Sequence, residues 1–156
     1  MKKRIILAAA MTAAVLTFTG CEKNSSGEEA LKPVDEITGD VISCGVEFPE
    51  MVEVEEENFQ IKYGLSAEDY SEYSLWWAGS GADADEICII KANDKDKVKN
   101  AVSDRLEGQK EVFKDYVPEQ YDKLCKAKIS TRGDYVCFIC TNDNEKADKA
   151  IDNDFE

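Results

Sequence analysis

Residues 86–92, Glu-Ile-Cys-Ile-Ile-Lys-Ala, run through Asn93-Asp94 into a segment where Val98, Val102, Leu106, Gln109, Phe113 and Tyr116 recur at steps of three or four. The first part reads as a strand, and its continuous apolar run predicts burial on both faces. The second part is one face of an amphipathic helix capped by Asn93 or Asp94, with Lys, Asp and Glu on the opposite side. Upstream, Tyr73 to Ala78 (Tyr-Ser-Leu-Trp-Trp-Ala) is aromatic-rich and strand-like, and Gly79-Ser80-Gly81 supplies the loop between the two strands. Downstream, Pro118 ends the long helix and suits the first turn of another over 119–126, with Tyr121, Leu124 and Cys125 inward. Lys128 to Thr131 and Tyr135 to Thr141 flank Arg132-Gly133-Asp134 as a hairpin. Asn142 or Asp143 caps a last helix through Ala147, Ala150 and Ile151.

The order after residue 70 is therefore β-β-α-α-β-β-α. Two hairpins joined by a helical excursion predict an α+β domain, an antiparallel sheet of about four strands with helices packed on one face. Before it, Val52 to Tyr63 reads as a short helix or irregular lead-in stopped by Gly64, and Ser66-Ala67-Glu68-Asp69 as a capped single turn. The single domain is expected over 37–156. Residues 21–36 read as a flexible acidic linker, with the small polar run Lys23-Asn24-Ser25-Ser26-Gly27, then Glu28, Glu29 and Pro33. Extended, such a linker reaches on the order of 50 Å.

The first 20 residues have a different character. Lys2, Lys3 and Arg4 form a cationic start, a weakly polar-to-apolar run extends from Ile5 to Phe18, and Thr19-Gly20-Cys21 follows. A bilayer span needs roughly 20 apolar residues, so this run is too short for one, but it suits the core of a signal peptide. The ending Leu16-Thr17-Phe18-Thr19-Gly20-Cys21 resembles the lipobox of bacterial lipoproteins, with Phe18 where Leu is usual. The resemblance implies a diacylglyceryl group on Cys21, which becomes the mature N-terminus at the outer face of the cytoplasmic membrane. Two acyl chains at about 0.8 kcal/mol per buried CH₂ make such an anchor effectively permanent.

A second resemblance rests on Ala84-Asp85-Glu86-Ile87, Tyr116-Val117-Pro118-Glu119-Gln120-Tyr121 and Gly133-Asp134-Tyr135-Val136. With this spacing the chain resembles a family of small clostridial-type lipoproteins of Gram-positive bacteria over roughly residues 60 to 152. Their shared C-terminal domain is uncharacterised, so the resemblance implies location and no activity, ligand or catalytic residue.

Charge narrows the partners. All 33 acidic residues follow Cys21, and loss of Lys2, Lys3 and Arg4 moves the formal charge from −14 to −17. Nucleic acid is a poor partner for such a surface, and anionic lipid heads repel it. The chain has no His, which removes the commonest general base and zinc ligand and any Ser–His or Cys–His couple. Neither a cofactor nor a metal ion is expected. Asp83-Ala84-Asp85-Glu86 hints at a calcium loop, but Ile87 stands where the third ligand belongs, so the stretch reads as a solvated loop.

Five cysteines remain beyond Cys21: Cys44, Cys88, Cys125, Cys137 and Cys140. Cys137 and Cys140 have redox spacing but stand three apart within a strand, on opposite faces. They read as small buried residues, with a bridge from Cys88 to the hairpin as the alternative. Trp76 and Trp77 are the candidate ligand contacts. Adjacent strand residues face opposite ways, so one ring should enter the core and the other lie nearer the surface, to stack on a sugar or anchor a peptide. The functional expectation is a lipid-anchored, non-catalytic module binding an envelope protein, peptide or sugar. An envelope hydrolase using carboxylates or a thiol, and a passive acidic surface protein, are the alternatives.

Overall fold

A five-stranded antiparallel sheet in the order β1-β2-β3-β5-β4 organises the chain. The strands are β1 (Met51–Glu53), β2 (Tyr70–Ala78), β3 (Glu86–Ala92), β4 (Lys128–Arg132) and β5 (Tyr135–Cys140). The helices are α1 (Val34–Ile42), α2 (Glu56–Tyr63), α3 (Lys95–Phe113), α4 (Pro118–Cys125) and α5 (Asn144–Asp152). The structure, a computed structural model, describes residues 30–155. The signal segment, Cys21 and the start of the linker lie outside those residues. No helix among the described residues is long and apolar enough to cross a membrane.

The α+β class, the antiparallel pairing and the order β-β-α-α-β-β-α after residue 70 match the sequence reading. Caps explain the boundaries. Asp94 accepts a hydrogen bond from the Lys97 N–H at the start of α3, and Asp143 does the same for Lys146 in α5. Pro118 sits in the first turn of α4, where its missing N–H costs nothing. Gly64 ends α2 in the left-handed conformation, φ +63°, that a side chain rarely adopts.

Two expectations need correction. The sheet has a fifth strand, and its helices cover both faces. Val98, Val102 and Leu106 of α3, Leu124 of α4 and Phe59 and Tyr63 of α2 pack on Leu75, Cys88, Ile90, Val136 and Phe138. On the reverse face Val34, Ile37 and Val41 of α1 and Ala147 and Ile151 of α5 pack on Ile87, Ile89, Cys137 and Ile139. The cause is visible in β3 and β5, which are apolar at both alternations and need a cover on each side. That second cover draws residues 34–36 out of the segment read as linker, since α1 starts at Val34, which is buried.

Polar contacts tie α5 and the two ends of the described residues to the domain. Arg132 of β4 bonds Asp148 and Asp152, with Nη2 2.9 Å from Asp148 Oδ1, and so pins α5. Ala30 forms an isolated antiparallel bridge with Phe155, the Leu31 N–H donates to the Asp154 carbonyl at 2.8 Å, and Lys32 pairs with Asp154 and Asp40.

The turn before β2 titrates. Asp69 accepts from the Lys97 ammonium at 2.7 Å and from the backbone and hydroxyl of Ser66. These contacts, the Lys97 bond first, lower its pKa from 3.8 to about 2. A group with a depressed folded pKa stabilises above its unfolded pKa and loses that contribution as pH falls through the folded one. An acid titration followed by circular dichroism is therefore expected to show a loss of stability between about pH 4 and 2 that Asp69→Asn makes smaller, with Asp148, also held below its ordinary pKa, accounting for part of the remainder.

Candidate functional site

Trp77 stands directly across from Glu86 in the β2–β3 register, so both side chains leave the same face of the sheet, toward α3. Glu86 opens the strand as a carboxylate among apolar neighbours and is only 1% exposed. Four donors meet it there. The Tyr63 hydroxyl donates to Oε1 at 2.6 Å, Arg105 donates from Nε to Oε1 at 3.1 Å and from Nη2 to Oε2 at 2.6 Å, and Gln109 Nε2 donates to Oε2. A buried carboxylate held this way orients its neighbours, since its lone pairs are already taken.

Electrostatics follow from that grip. Burial opposes the charge on Arg105, but the hydrogen bonds and charge of Glu86 outweigh it and raise its pKa. Burial, with the charges of Cys88 and Glu86 behind it, lifts the Tyr63 phenol well above its usual range. The guanidinium lies 5.8 Å from the Trp77 ring centroid and 6.0 Å from that of Tyr63. These are cation–π distances.

Above this network a cleft of about 410 Å³ opens to solvent, within the usual range for small-ligand sites of about 300–1,000 Å³. Trp77 and Arg105 line it, with Lys62, the loop Gly79-Ser80-Gly81, and Val112 and Phe113 of α3. Gly108 also lines it from within α3, and a Cβ placed there meets nothing within 4 Å. An interior helical glycine costs about 1 kcal/mol relative to alanine, and no packing partner requires this one. Its effect is to keep the cleft open. Gly108→Ala is expected to raise stability by roughly 0.5–1 kcal/mol, measured by urea unfolding.

Trp76 faces the other way, bordering a separate apolar hollow with Ile42, Val46, Phe48, Pro49 and Met51. Both Trp rings are half-buried, so neither has entered the core fully. Of the two, Trp77 is the one beside a guanidinium, while the hollow at Trp76 carries Glu47. The Asp83–Glu86 stretch is no solvated loop at its far end: Asp85 and Glu86 are buried because Asp85 pairs with Lys123 and Glu86 with Arg105. Gln120 of α4 completes the clasp, accepting the Ala84 N–H at 3.0 Å. Among the described residues no three acidic or thiol groups are placed to hold a metal ion.

The five cysteines beyond Cys21 are unbridged. Cys137 and Cys140 belong to opposite faces, as their spacing requires. Burial pushes the Cys140 thiol up to about 12 and the Cys137 thiol to about 11, and raises Cys88 well above its usual value. Such thiols are poor nucleophiles. Iodoacetamide on the folded protein should modify exposed Cys125 and then Cys44, reaching Cys88, Cys137 and Cys140 only in urea, as peptide mass mapping would show.

Lys62, Tyr63, Glu86, Arg105 and Gly108 were not among the sequence candidates. One signal for them was present: Gln109 is a polar residue at an inward position of an otherwise apolar helical face, and it is buried against Glu86.

A two-sided α+β domain with an open, aromatic-walled cleft is thus the class defined by fold and site. Residues 45–141 match the family described as Domain of unknown function (DUF4358), and the chain belongs to that family. The match takes in all five strands and α2 to α4, while α1 and α5 fall outside it. No curated protein and no solved structure matches the chain.

Proposed function

We propose that this chain is a lipid-anchored extracytoplasmic binding module of a Gram-positive cell, tethered through Cys21, whose ligand occupies the cleft between Trp77 and Arg105. The observation that carries the binding role is the Arg105 guanidinium. Its Nε and Nη2 are spent on Glu86, while Nη1 bonds no described residue, and the side chain lines an open cavity beside an aromatic ring. Recognition sites combine apolar walls with a few placed polar groups in this way. Both buried acids at the cleft are bound to cations, Glu86 to Arg105 and Asp85 to Lys123, which favours recognition over proton transfer. The cationic start, the short apolar run and Thr19-Gly20-Cys21 support the anchor.

The test uses the full chain purified in mild detergent and a library of amino acids, short peptides, sugars and sugar acids. At least one compound is expected to raise Tm by mass action, and Gly108→Leu, which fills the cleft from a position with free space, should abolish the rise while keeping the fold. A rise that Gly108→Leu leaves intact would place the ligand elsewhere. Mass analysis of the native N-terminus tests the anchor separately: an unacylated Cys21 sulfur rejects it.

A further inference from the structure

The cleft carries opposite charge at its two ends. On one side it shares Lys62, Arg105 and Gly108 with a hollow bounded by Tyr63, Gly64 and Asp104. On the other it shares Asp83 and Asp85 with a hollow bounded by Glu47, Glu119, Gln120 and Lys123, the last paired with Asp85. Trp77 and Phe113 supply apolar surface in the same cleft.

Each end has capacity left over. Lys62 is exposed and pairs with no described residue, and Arg105 keeps its Nη1 edge. At the opposite end Asp83 receives one long contact, Gln120 Nε2 to Oδ1 at 3.4 Å, and its Oδ2 receives none. Asp85 pairs with Lys123 through Oδ2, but its Oδ1 is buried without a hydrogen-bond partner and is left as an acceptor. A ligand with a single charge would satisfy one end and desolvate the other, which costs free energy.

We infer that the ligand is a zwitterion, a free amino acid or short peptide, with its carboxylate at Lys62 and Arg105, its ammonium at Asp83 and an apolar side chain against Trp77. This rests on the cleft being the ligand site. Charge-assisted hydrogen bonds at both ends would fix the direction in which the molecule lies, and the surrounding charge of −14 on the full chain would reject ligands that are purely anionic.

The probe is glycyl-phenylalanine, compared with its N-acetyl and C-amide forms and with glucuronic acid, an anion that lacks an amine. Binding to the full chain in detergent is followed by calorimetry. The dipeptide is expected to saturate at millimolar concentration or below, each blocked form to bind about tenfold more weakly, and glucuronic acid to be inert. Lys62→Glu and Asp83→Lys, both at solvent-accessible positions, should each weaken the dipeptide about tenfold without changing Tm in its absence. Equal binding of the dipeptide and its blocked forms overturns the zwitterion. So does an inert dipeptide when the library members giving a Tm rise that Gly108→Leu removes are all sugars or sugar acids, and in that case the cleft assignment survives. If no compound gives such a rise, both fall.

Discussion

Replacing Arg105 with alanine is expected to destabilise the protein by about 3–5 kcal/mol, the range for removing one partner of a buried ion pair. Glu86 would keep only Tyr63 and Gln109 as donors, in a position 1% exposed. The Arg105 side chain is itself only 19% exposed, so water cannot readily replace it. Urea unfolding should show a large fall in midpoint with little change in slope. Adding Glu86→Gln to Arg105→Ala should recover part of the loss, because the uncompensated charge is then gone. A cost under about 1 kcal/mol would mean the pair behaves like a surface ion pair, and the picture of a rigid cleft floor would fail with it.

Phe59→Ala should be nearly as damaging, at about 3–5 kcal/mol. Phe59 is fully buried where α2 meets β2. Its ring stacks on Tyr73 at 4.3 Å and 8°, meets Tyr70 edge-on at 5.1 Å and 82°, and touches Tyr63 at 5.1 Å. Each such aromatic pair adds about 0.5–1.5 kcal/mol beyond burial. Phe59→Leu keeps much of the volume and should lose distinctly less, so the difference between the variants isolates the ring contacts. Because α2 also carries Lys62 and Tyr63, near-ultraviolet circular dichroism should report a loosened aromatic environment even where the fold survives. Equal losses for the two variants would assign the whole effect to volume.

Much of the fold could be read from the chain because its signals are local. Asp94 and Asp143 cap, Pro118 starts α4, Gly64 stops α2, and the spacing of Val98, Val102 and Leu106 points one face inward. β1 could not be read this way. It has three residues, two of them exposed, and owes its existence to pairing with Trp76, Trp77 and Ala78. The apolar spacing of Val34, Ile37 and Val41 is present in the chain, but Pro33 and the acids around it give residues up to 36 the look of a tether, so the first turn of α1 is hidden. The cleft was less legible still. Trp77 stands out as an aromatic strand residue, but Lys62, Glu86 and Arg105 come from three other elements and carry no signal alone. Only the pairing of Trp77 with Glu86 and the inward Gln109 bring them together.

The Ala30–Phe155 bridge and the Lys32 clamp on Asp154 decide how the domain would respond to mechanical load. Tension arriving from the N-terminal side meets these contacts one after another, in an unzipping rather than a shearing geometry. They should therefore give way at low force, and α1 should peel from the reverse face before the strands part. An optical-tweezer trace would then begin with a small early step, leaving the sheet and its Trp77 side intact while Ile87, Ile89 and Ile139 lose their helical cover.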